Sequence, residues 1–433
     1  MSMDTSAIGL FTVIIFLLLI FSGQRIAIAG FVAGFIGLVS YYGWHPAMVS
    51  TIGHIFSESI KYGLTVIPLF TLMGYLAFYG GIGDEIYTTT RRWVGQLPGG
   101  LAMATTLGCA GFGAITGSST AAAIMFAKLA IPEMDKYKYK RKLSVGTVAA
   151  SGTLATLIPP SLSIMIYGLL TEQSIGKLMI AGFIPGVFSA IIYCIFIYVW
   201  SLVNPDLAPR GPSSSFKEKF ASLKHLWSTA VIMFAVLAGL YTGVFTPTEA
   251  GAVGAFCIFL VIFLKRKFTW AFFKGALLET ARMCGMCFII LLGVRVLMTS
   301  LVATGVTAGL TEFMLGSVSS PFLILLAILA VYMIFGCFIG GIGMMVVTIP
   351  LVSPVTVALG YDPIWFGIMV AKMVEIALIT PPVGVNVFVV SKVTEVPLEK
   401  AFRSVIPFFF MDLLTIALLI AFPQIVLFLP SRM

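Results

Sequence analysis

Two stretches of this sequence echo each other, Ala155-Thr-Leu-Ile-Pro159-Pro160-Ser161 and Ala377-Leu-Ile-Thr-Pro381-Pro382-Val383, and each sits inside a long apolar segment. A double proline withholds two backbone donors and clashes with the preceding turn, so a membrane helix that carries it must break. The break frees carbonyl oxygens, and a hard cation such as sodium takes oxygen ligands that hold it weakly enough to let it go. Two glycine-rich runs, Gly111-Phe-Gly-Ala-Ile-Thr-Gly-Ser-Ser-Thr120 and Gly336-Cys-Phe-Ile-Gly-Gly-Ile-Gly343, precede the breaks. In the first, Ser118, Ser119 and Thr120 offer hydroxyls and backbone donors. Half-helix N-termini attract a carboxylate, so these three are expected to touch a substrate anion. Ser161 and Asn386, just past the breaks, are secondary candidates, and Ser161 fits a helix cap equally well. Lys372 and Glu375 stand three apart on the helix entering the second break, a spacing that pairs them on one face. Charges inside a membrane are costly and usually functional, so the pair is read as a structural ion pair or as part of coupling and gating.

The chain that positions these residues has 433 of them, 59% hydrophobic and 10% charged, with a mean hydropathy of +1.07. That is too little polar surface for a soluble globule of this size. The net charge of +9 could suggest nucleic acid, but the Lys and Arg residues sit in short loops between apolar segments. They orient membrane loops instead, and no nucleic-acid partner is expected. All six cysteines lie in or beside apolar segments, so no disulfide framework is expected. Cys284-Gly-Met-Cys287 has a metal-like spacing without a second ligand pair, and no metal centre is expected there.

Apolar runs near 8–22, 26–40, 64–80, 143–170 and 178–200, then 226–243, 247–263, 276–302, 364–394 and 406–428, predict ten crossings, five in each half. The first lacks the basic flank of a secretory signal and is read as retained. Residues 99–134 and 321–359 are long and apolar with glycine-rich middles, and are expected to form re-entrant hairpins. Residues 201–225 form the one long polar connection, a cytoplasmic linker between a first unit, 1–200, and a second, 226–433. If Lys136, Lys138, Lys140, Arg141 and Lys142 are cytoplasmic, then Arg91-Arg92, Lys217 to Lys224, Lys265-Arg266-Lys267, Lys400 and Arg403 fall inside as well. Residues 303–320 and 360–363, which lack Lys and Arg, fall outside with both termini. An odd number of crossings per half inverts the second half. The expectation is an all-α polytopic membrane protein of two inverted-topology repeats, each with five crossings, a re-entrant hairpin and a Pro-Pro-broken helix, as in secondary transporters. Residues 45–62 and 265–275 are read either as segments that lie flat on the membrane and bracket a scaffold around a moving part, or as simple loop helices. Arg295, without a local partner, is expected to snorkel or meet another subunit.

Five ordered motifs, Phe112-Gly-Ala-Ile-Thr-Gly-Ser-Ser-Thr-Ala121, Ala130-Ile-Pro-Glu-Met134, Gly152-Thr-Leu-Ala-Thr-Leu-Ile-Pro-Pro-Ser161, Tyr241-Thr-Gly-Val-Phe-Thr-Pro-Thr-Glu-Ala250 and Leu378-Ile-Thr-Pro-Pro-Val-Gly384, resemble the large membrane subunit of TRAP transporters (tripartite ATP-independent periplasmic transporters). The resemblance covers nearly the whole chain. It implies sodium-driven uptake of a small organic anion, a carboxylate or sugar acid, across a bacterial or archaeal inner membrane. A small four-helix membrane subunit and a periplasmic substrate-binding protein are the implied partners. The resemblance also implies an elevator, in which hairpins and broken helices move against a scaffold of the remaining helices. Carried over by position, it implies one sodium site at Gly113, Thr116, Ala155, Ile158 and Pro160 and another at Gly336, Ala377, Thr380 and Val383. Backbone oxygens would supply most ligands, with the Thr380 hydroxyl added. Ala155 and Ala377 stand where the family often has glycine. Gly340 and Gly341, expected on the substrate side of the second tip, stand where many members place an acidic residue.

Other classes fit less well. Gly81-Ile-Gly-Asp84 and Tyr361-Asp362 superficially match the paired motifs of intramembrane aspartyl proteases, but in reversed order, and both aspartates read as helix N-caps. A stand-alone sodium-coupled carboxylate carrier of related architecture is the stronger alternative, while a passive channel makes poor use of opposed hairpins.

Overall fold

The computed structural model describes residues 5–317 and 320–433, and among these it is helical, with no strand. Met1 to Asp4 at the expected periplasmic end, and positions 318 and 319 within the 303–320 connection, lie outside the described residues. In the first half, α1 (Thr5–Phe21) and α2 (Ile26–Tyr42) lead through Gly43 into α3 (Trp44–Ser59). A 3-10 turn at Tyr62–Thr65 runs into α4 (Val66–Tyr79), and the amphipathic α5 (Ile82–Val94) follows. That short helix has Asp84 and Glu85 in its first turn and Arg91 and Arg92 in its last, the arrangement the helix dipole favours. Two helices folded back on each other, α6 (Gly100–Thr116) and α7 (Ser119–Lys136), precede α8 (Arg141–Thr153), the first break, α9 (Leu162–Thr171) and α10 (Ile175–Val203).

A second set of helices follows Val203. Reciprocal capping boxes, Ser215 with Glu218 and Thr246 with Glu249, start α11 (Phe216–Tyr241) and α12 (Pro247–Leu264). Then come α13 (Trp270–Ala303), α14 (Val306–Ser317), and a second folded-back pair, α15 (Pro321–Ile339) and α16 (Gly341–Ala358). The second break separates α17 (Pro363–Ala377) from α18 (Val385–Thr394), and α19 (Leu398–Ala421) and α20 (Gln424–Leu427) complete the described chain.

Among the described residues seven stretches are long and apolar enough to cross a membrane: Tyr62–Tyr79, α10, α12, α13, α15, α16 and α19, or up to eight if the bent pair Phe216–Lys224 and Thr229–Tyr241 counts as one span. The ten expected crossings differ from this because α1 and α2 stop at 17 residues and the two broken helices are interrupted. Conversely α15 and α16, at 19 and 18 residues, are each long enough to span, although their sequence reads as one re-entrant hairpin. The expected flat segment at 265–275 is not separate. Trp270 opens α13, whose 34 residues make a rod of about 51 Å, well beyond a hydrocarbon core of about 30 Å. The expected segment at 45–62 does form its own helix, α3. The linker is also shorter than expected, since α10 ends at Val203 and α11 begins at Phe216.

The broken helices form the centre of the molecule. Every residue from Leu143 to Ser161 and from Trp365 to Ile379 is buried, including small hydroxyl residues in the first segment and Lys372 and Glu375 in the second. Packing crosses between halves: α18 lies against α7 and α8, while α9 lies against α16 and α17. Around this centre α2 and α13 approach closely, and a Cβ at Gly293 would stand 2.1 Å from the Ala27 carbonyl oxygen. Small residues allow such backbone contact where no aqueous hydrophobic effect drives helices together.

Candidate functional site

At the first tip, α6 ends at Thr116, Gly117 takes a left-handed conformation (φ 58°), and extended Ser118 caps α7 by accepting from the Ala121 amide at 3.3 Å. The tip rests on the first break. A Cβ at Gly117 would fall 2.2 Å from the Pro160 carbonyl oxygen, and one at Gly113 would fall 2.7 Å from the Ala155 Cα. Beyond α8 the chain tightens into a 3-10 turn at Leu154–Thr156, then passes Pro159-Pro160 through a cis peptide. In a continuing helix the Ala155 carbonyl would receive the amide of residue 159, and proline has none to give. The Thr116 hydroxyl donates to the Phe112 carbonyl at 3.1 Å, which leaves its lone pairs available to a cation. Ile158 lies in the same break, with its amide on the Leu154 carbonyl at 3.0 Å.

The second tip repeats the first in different residues. Gly340 (φ 78°) joins α15 to α16, and a Cβ at Gly336 would lie 2.5 Å from the Ala377 Cβ. Ala377 stands four residues before Pro381, as Ala155 does before Pro159, and Pro381-Pro382 is again cis. The Val383 amide donates to the Cys337 carbonyl at 3.3 Å, tying break to tip, and the Thr380 hydroxyl donates to Ile376 at 2.6 Å. Thus the structure brings Gly113, Thr116, Ala155 and Pro160 to one junction, and Gly336, Ala377, Thr380 and Val383 to another. The junctions differ in burial, because the first is fully enclosed whereas Val383 is 40% exposed. Beside the first, Thr116, Ser118 and Pro160 join Thr71 and Tyr75 of α4 around a void of about 20 Å³, room for about one water-sized species.

Between the tips lies a cavity of about 440 Å³ whose walls include Ser118, Ser119, Thr120, Gly340 and Gly341. Its lining takes in the first residues of four helices: Ser119 and Thr120 of α7, Leu162 and Ser163 of α9, Gly341 to Gly343 of α16, and Val385 of α18. Among the described residues no Lys, Arg, Asp or Glu lines it, so helix N-termini and hydroxyls set its polarity. Met283, Met286 and Ile290 of α13 close the far side. Thr156 and Ser163 also line it and were not singled out from sequence; their signal is their place beside the first Pro-Pro pair. Two expected substrate contacts lie elsewhere. Ser161 is buried, caps α9 through the Ile164 amide and donates to the Thr156 carbonyl. Asn386 is buried against α8, donating to the Ala149 carbonyl at 3.3 Å.

Lys372 and Glu375 do pair, at 2.9 Å, but within a larger cluster. Lys372 also meets Asp412 of α19 at 2.7 Å, and Asp412 accepts from the Tyr193 hydroxyl at 2.7 Å. All three charged side chains are fully buried. Thr153 donates to Glu375 at 3.1 Å, so the cluster bridges a residue two before Ala155 to a residue two before Ala377. Asp412 was missed, although a lone carboxylate in an apolar segment is itself a signal. Arg295, without a partner nearby in sequence, meets Glu58 of α3 at 3.5 Å, and Lys61 meets the same carboxylate at 2.9 Å. Asp362 caps α17 through the amides of Ile364 and Trp365, as expected, but Asp84 lies inside the first turn of α5, whose cap is Gly81.

The profile of the family described as the tripartite ATP-independent periplasmic transporter, DctM component, matches residues 13–425. The chain belongs to this family. It is 35% identical over 383 residues to the C4-dicarboxylate TRAP transporter large permease protein DctM of Pseudomonas aeruginosa, across 87% of this chain and 88% of that one. To the sialic acid TRAP transporter large permease protein SiaM of Vibrio cholerae it is 31% identical over 376 residues, across 86% and 87% of the two chains. Among solved structures, the YdaH transporter of Alcanivorax borkumensis superposes with a TM-score of 0.61 at 13% identity, covering 89% of this chain and 90% of that one, a likeness of fold alone. This TRAP permease is therefore a multi-pass membrane protein of a transporter family, and its relatives carry the names of permeases rather than enzymes.

Proposed function

We propose that this TRAP permease is the subunit that carries a small organic anion, a carboxylate or sugar acid, across a bacterial or archaeal inner membrane with sodium as the coupling ion. The observation that carries the reading is the convergence of four helix N-termini on one cavity, flanked by two tip-and-break junctions built from equivalent glycine, alanine and proline positions. The N-termini favour an anion without a fixed counter-charge. Each junction offers carbonyl and hydroxyl oxygens to a sodium ion, which travels as cargo. The named substrates of the two relatives, C4-dicarboxylates and sialic acid, are carboxylates, in keeping with that preference.

Helix order and cross-packing support two inverted repeats. Exchanging the halves exchanges α18 on α7 for α9 on α16, and α8 against α18 for α17 against α9. In this reading the tips and breaks move together as an elevator past α4, α13 and their neighbours, both chain termini face the periplasm, and the basic loops face the cytoplasm. A small four-helix membrane subunit and a periplasmic substrate-binding protein complete the system. The test is uptake by vesicles that contain both membrane subunits, with and without the binding protein, under an inward sodium gradient. Uptake that needs sodium and binding protein supports the proposal. Uptake by this chain alone supports a stand-alone carrier, and sodium-independent flux at channel rates overturns coupling.

A further inference from the structure

Arg141, Lys142, Lys400 and Arg403 line one cavity of about 240 Å³, together with Val396 and Ser404. The first two open α8, and the other two lie in the first two turns of α19. The helices meet there, since a Cβ at Gly146 would stand 2.2 Å from the Ser404 carbonyl oxygen. A helix N-terminus carries partial positive charge, so cations gathered at two of them oppose what helix stability favours. Neighbouring carboxylates answer half of the charge: Asp135 pairs with Arg141 at 2.9 Å and Glu399 with Arg403 at 2.7 Å. Lys142 lies over the Trp200 ring at 5.6 Å, and Lys400 has no acidic partner among the described residues. Two positive charges remain uncompensated around a hollow, where an anion would relieve them.

The surface beyond the pocket separates a free anion from a lipid. Arg403, Ile406, Phe410 and Leu414 follow one face of α19, and the three apolar side chains are exposed. A free phosphate makes no use of that stripe, whereas an acyl chain does. Basic pockets between membrane helices are a recurrent way of holding acidic headgroups. We propose that the pocket between the N-terminal ends of α8 and α19 binds the phosphate headgroup of an anionic phospholipid, whose acyl chain lies along Ile406, Phe410 and Leu414. The pocket sits at the head of the helix that runs into the first break, so the lipid fastens the edge of the buried centre to the leaflet.

The test uses the full chain in phosphatidylcholine bilayers with spin-labelled phosphatidylglycerol or spin-labelled phosphatidylcholine as probe, reading the motionally restricted fraction. The expected preference for phosphatidylglycerol is about fivefold or more, and the double variant Lys142→Ala with Lys400→Ala brings it close to parity. Lys217→Ala with Lys224→Ala removes the same charge from α11, outside the pocket, and leaves the preference intact. All four lysines are exposed, and the side-chain contact given up is that of Lys142 with the Trp200 ring. No preference for phosphatidylglycerol, an equal loss in both double variants, or displacement of the lipid by inorganic phosphate alone would overturn the proposal.

Discussion

Replacing Lys372 with methionine asks what holds the two broken helices together. The ammonium group is fully buried, 2.9 Å from Glu375 and 2.7 Å from Asp412, with the Ser189 hydroxyl at 3.4 Å. Methionine has a similar volume, so the loss is one of charge more than packing. Two carboxylates would be left facing each other in an apolar interior, and removing one partner of a buried ion pair costs about 3–5 kcal/mol. Because the cluster has two carboxylates for one ammonium, its members should not be equally sensitive. In Glu375→Gln the amide oxygen still accepts from Thr153, and the remaining Lys372–Asp412 pair is balanced. The expected loss is therefore within about 1.5 kcal/mol, the net worth of one hydrogen bond. Asp412→Asn should fall between, since its oxygen keeps the Tyr193 and Lys372 bonds while Lys372 keeps Glu375. Neutralising all three residues together should recover most of what Lys372→Met loses. Thermal unfolding of the purified chain in detergent, followed by loss of the monodisperse peak, gives the ranking. A Lys372→Met protein as stable as the parent, or a Glu375→Gln protein as damaged as Lys372→Met, would refute this charge count.

Gly117→Ala should be far more harmful than Gly340→Ala. Left-handed strain at Gly117 is about 1–2 kcal/mol, and Gly340, at φ 78° and ψ 164°, holds a conformation essentially confined to glycine that costs about 1–3 kcal/mol, but only at Gly117 does the new Cβ also meet a backbone atom, 2.2 Å from the Pro160 oxygen, while Gly340 has open space within 4 Å. Uptake normalised to membrane-inserted protein distinguishes them, and equal activities would count against docking of the first tip on its break. Glu85 gives a pH dependence: burial alone raises its pKa, but hydrogen bonds from Lys265 and Lys267, at 2.7 and 2.9 Å, outweigh burial and hold it below the ordinary 4.5. Its contribution is therefore complete above the unfolded value and lost as pH falls through the folded one. The link between α5 and the loop after α12 should weaken in acid below about pH 4.5, and Glu85→Gln should remove that part of a stability profile. Replacing Thr116 or Thr380 with bulky residues should impair sodium-coupled uptake, and at Thr380, which is only part-buried, the unfolding temperature in sodium-free buffer should stay near that of the parent; unchanged sodium dependence would count against both positions.

The breaks and tips are legible in the sequence because the missing amide of proline and the missing Cβ of glycine are local properties. Ala155 and Ala377 come from the family resemblance; each stands four residues before a proline, and the structure sets each against a tip glycine. Partners fixed by tertiary packing are not legible in this way. Asp412 is forty residues from Lys372 in sequence and becomes its partner only where α19 lies beside α17. Arg295 and Glu58 sit in different halves, and α3 must lie along α13 before they meet. Trp270 begins a helix that nothing stops, so the expected flat arm merges with a crossing. Ser161 shows the limit of residue type as a guide: a hydroxyl beside a break serves a cap as readily as a substrate, and only the cavity outline separates the two.

Sodium is central to the account, and its binding can be measured on this chain without knowing the substrate. The purified protein is titrated from sodium-free buffer to about 100 mM sodium, with potassium holding ionic strength constant, and its thermal midpoint is followed; a ligand bound only by the folded state raises that midpoint with concentration. The account predicts a saturable rise with sodium, none with potassium, and a rise shifted to higher sodium in Thr116→Val and Thr380→Val. An identical response to sodium and potassium, or one unchanged in both threonine variants, would contradict it.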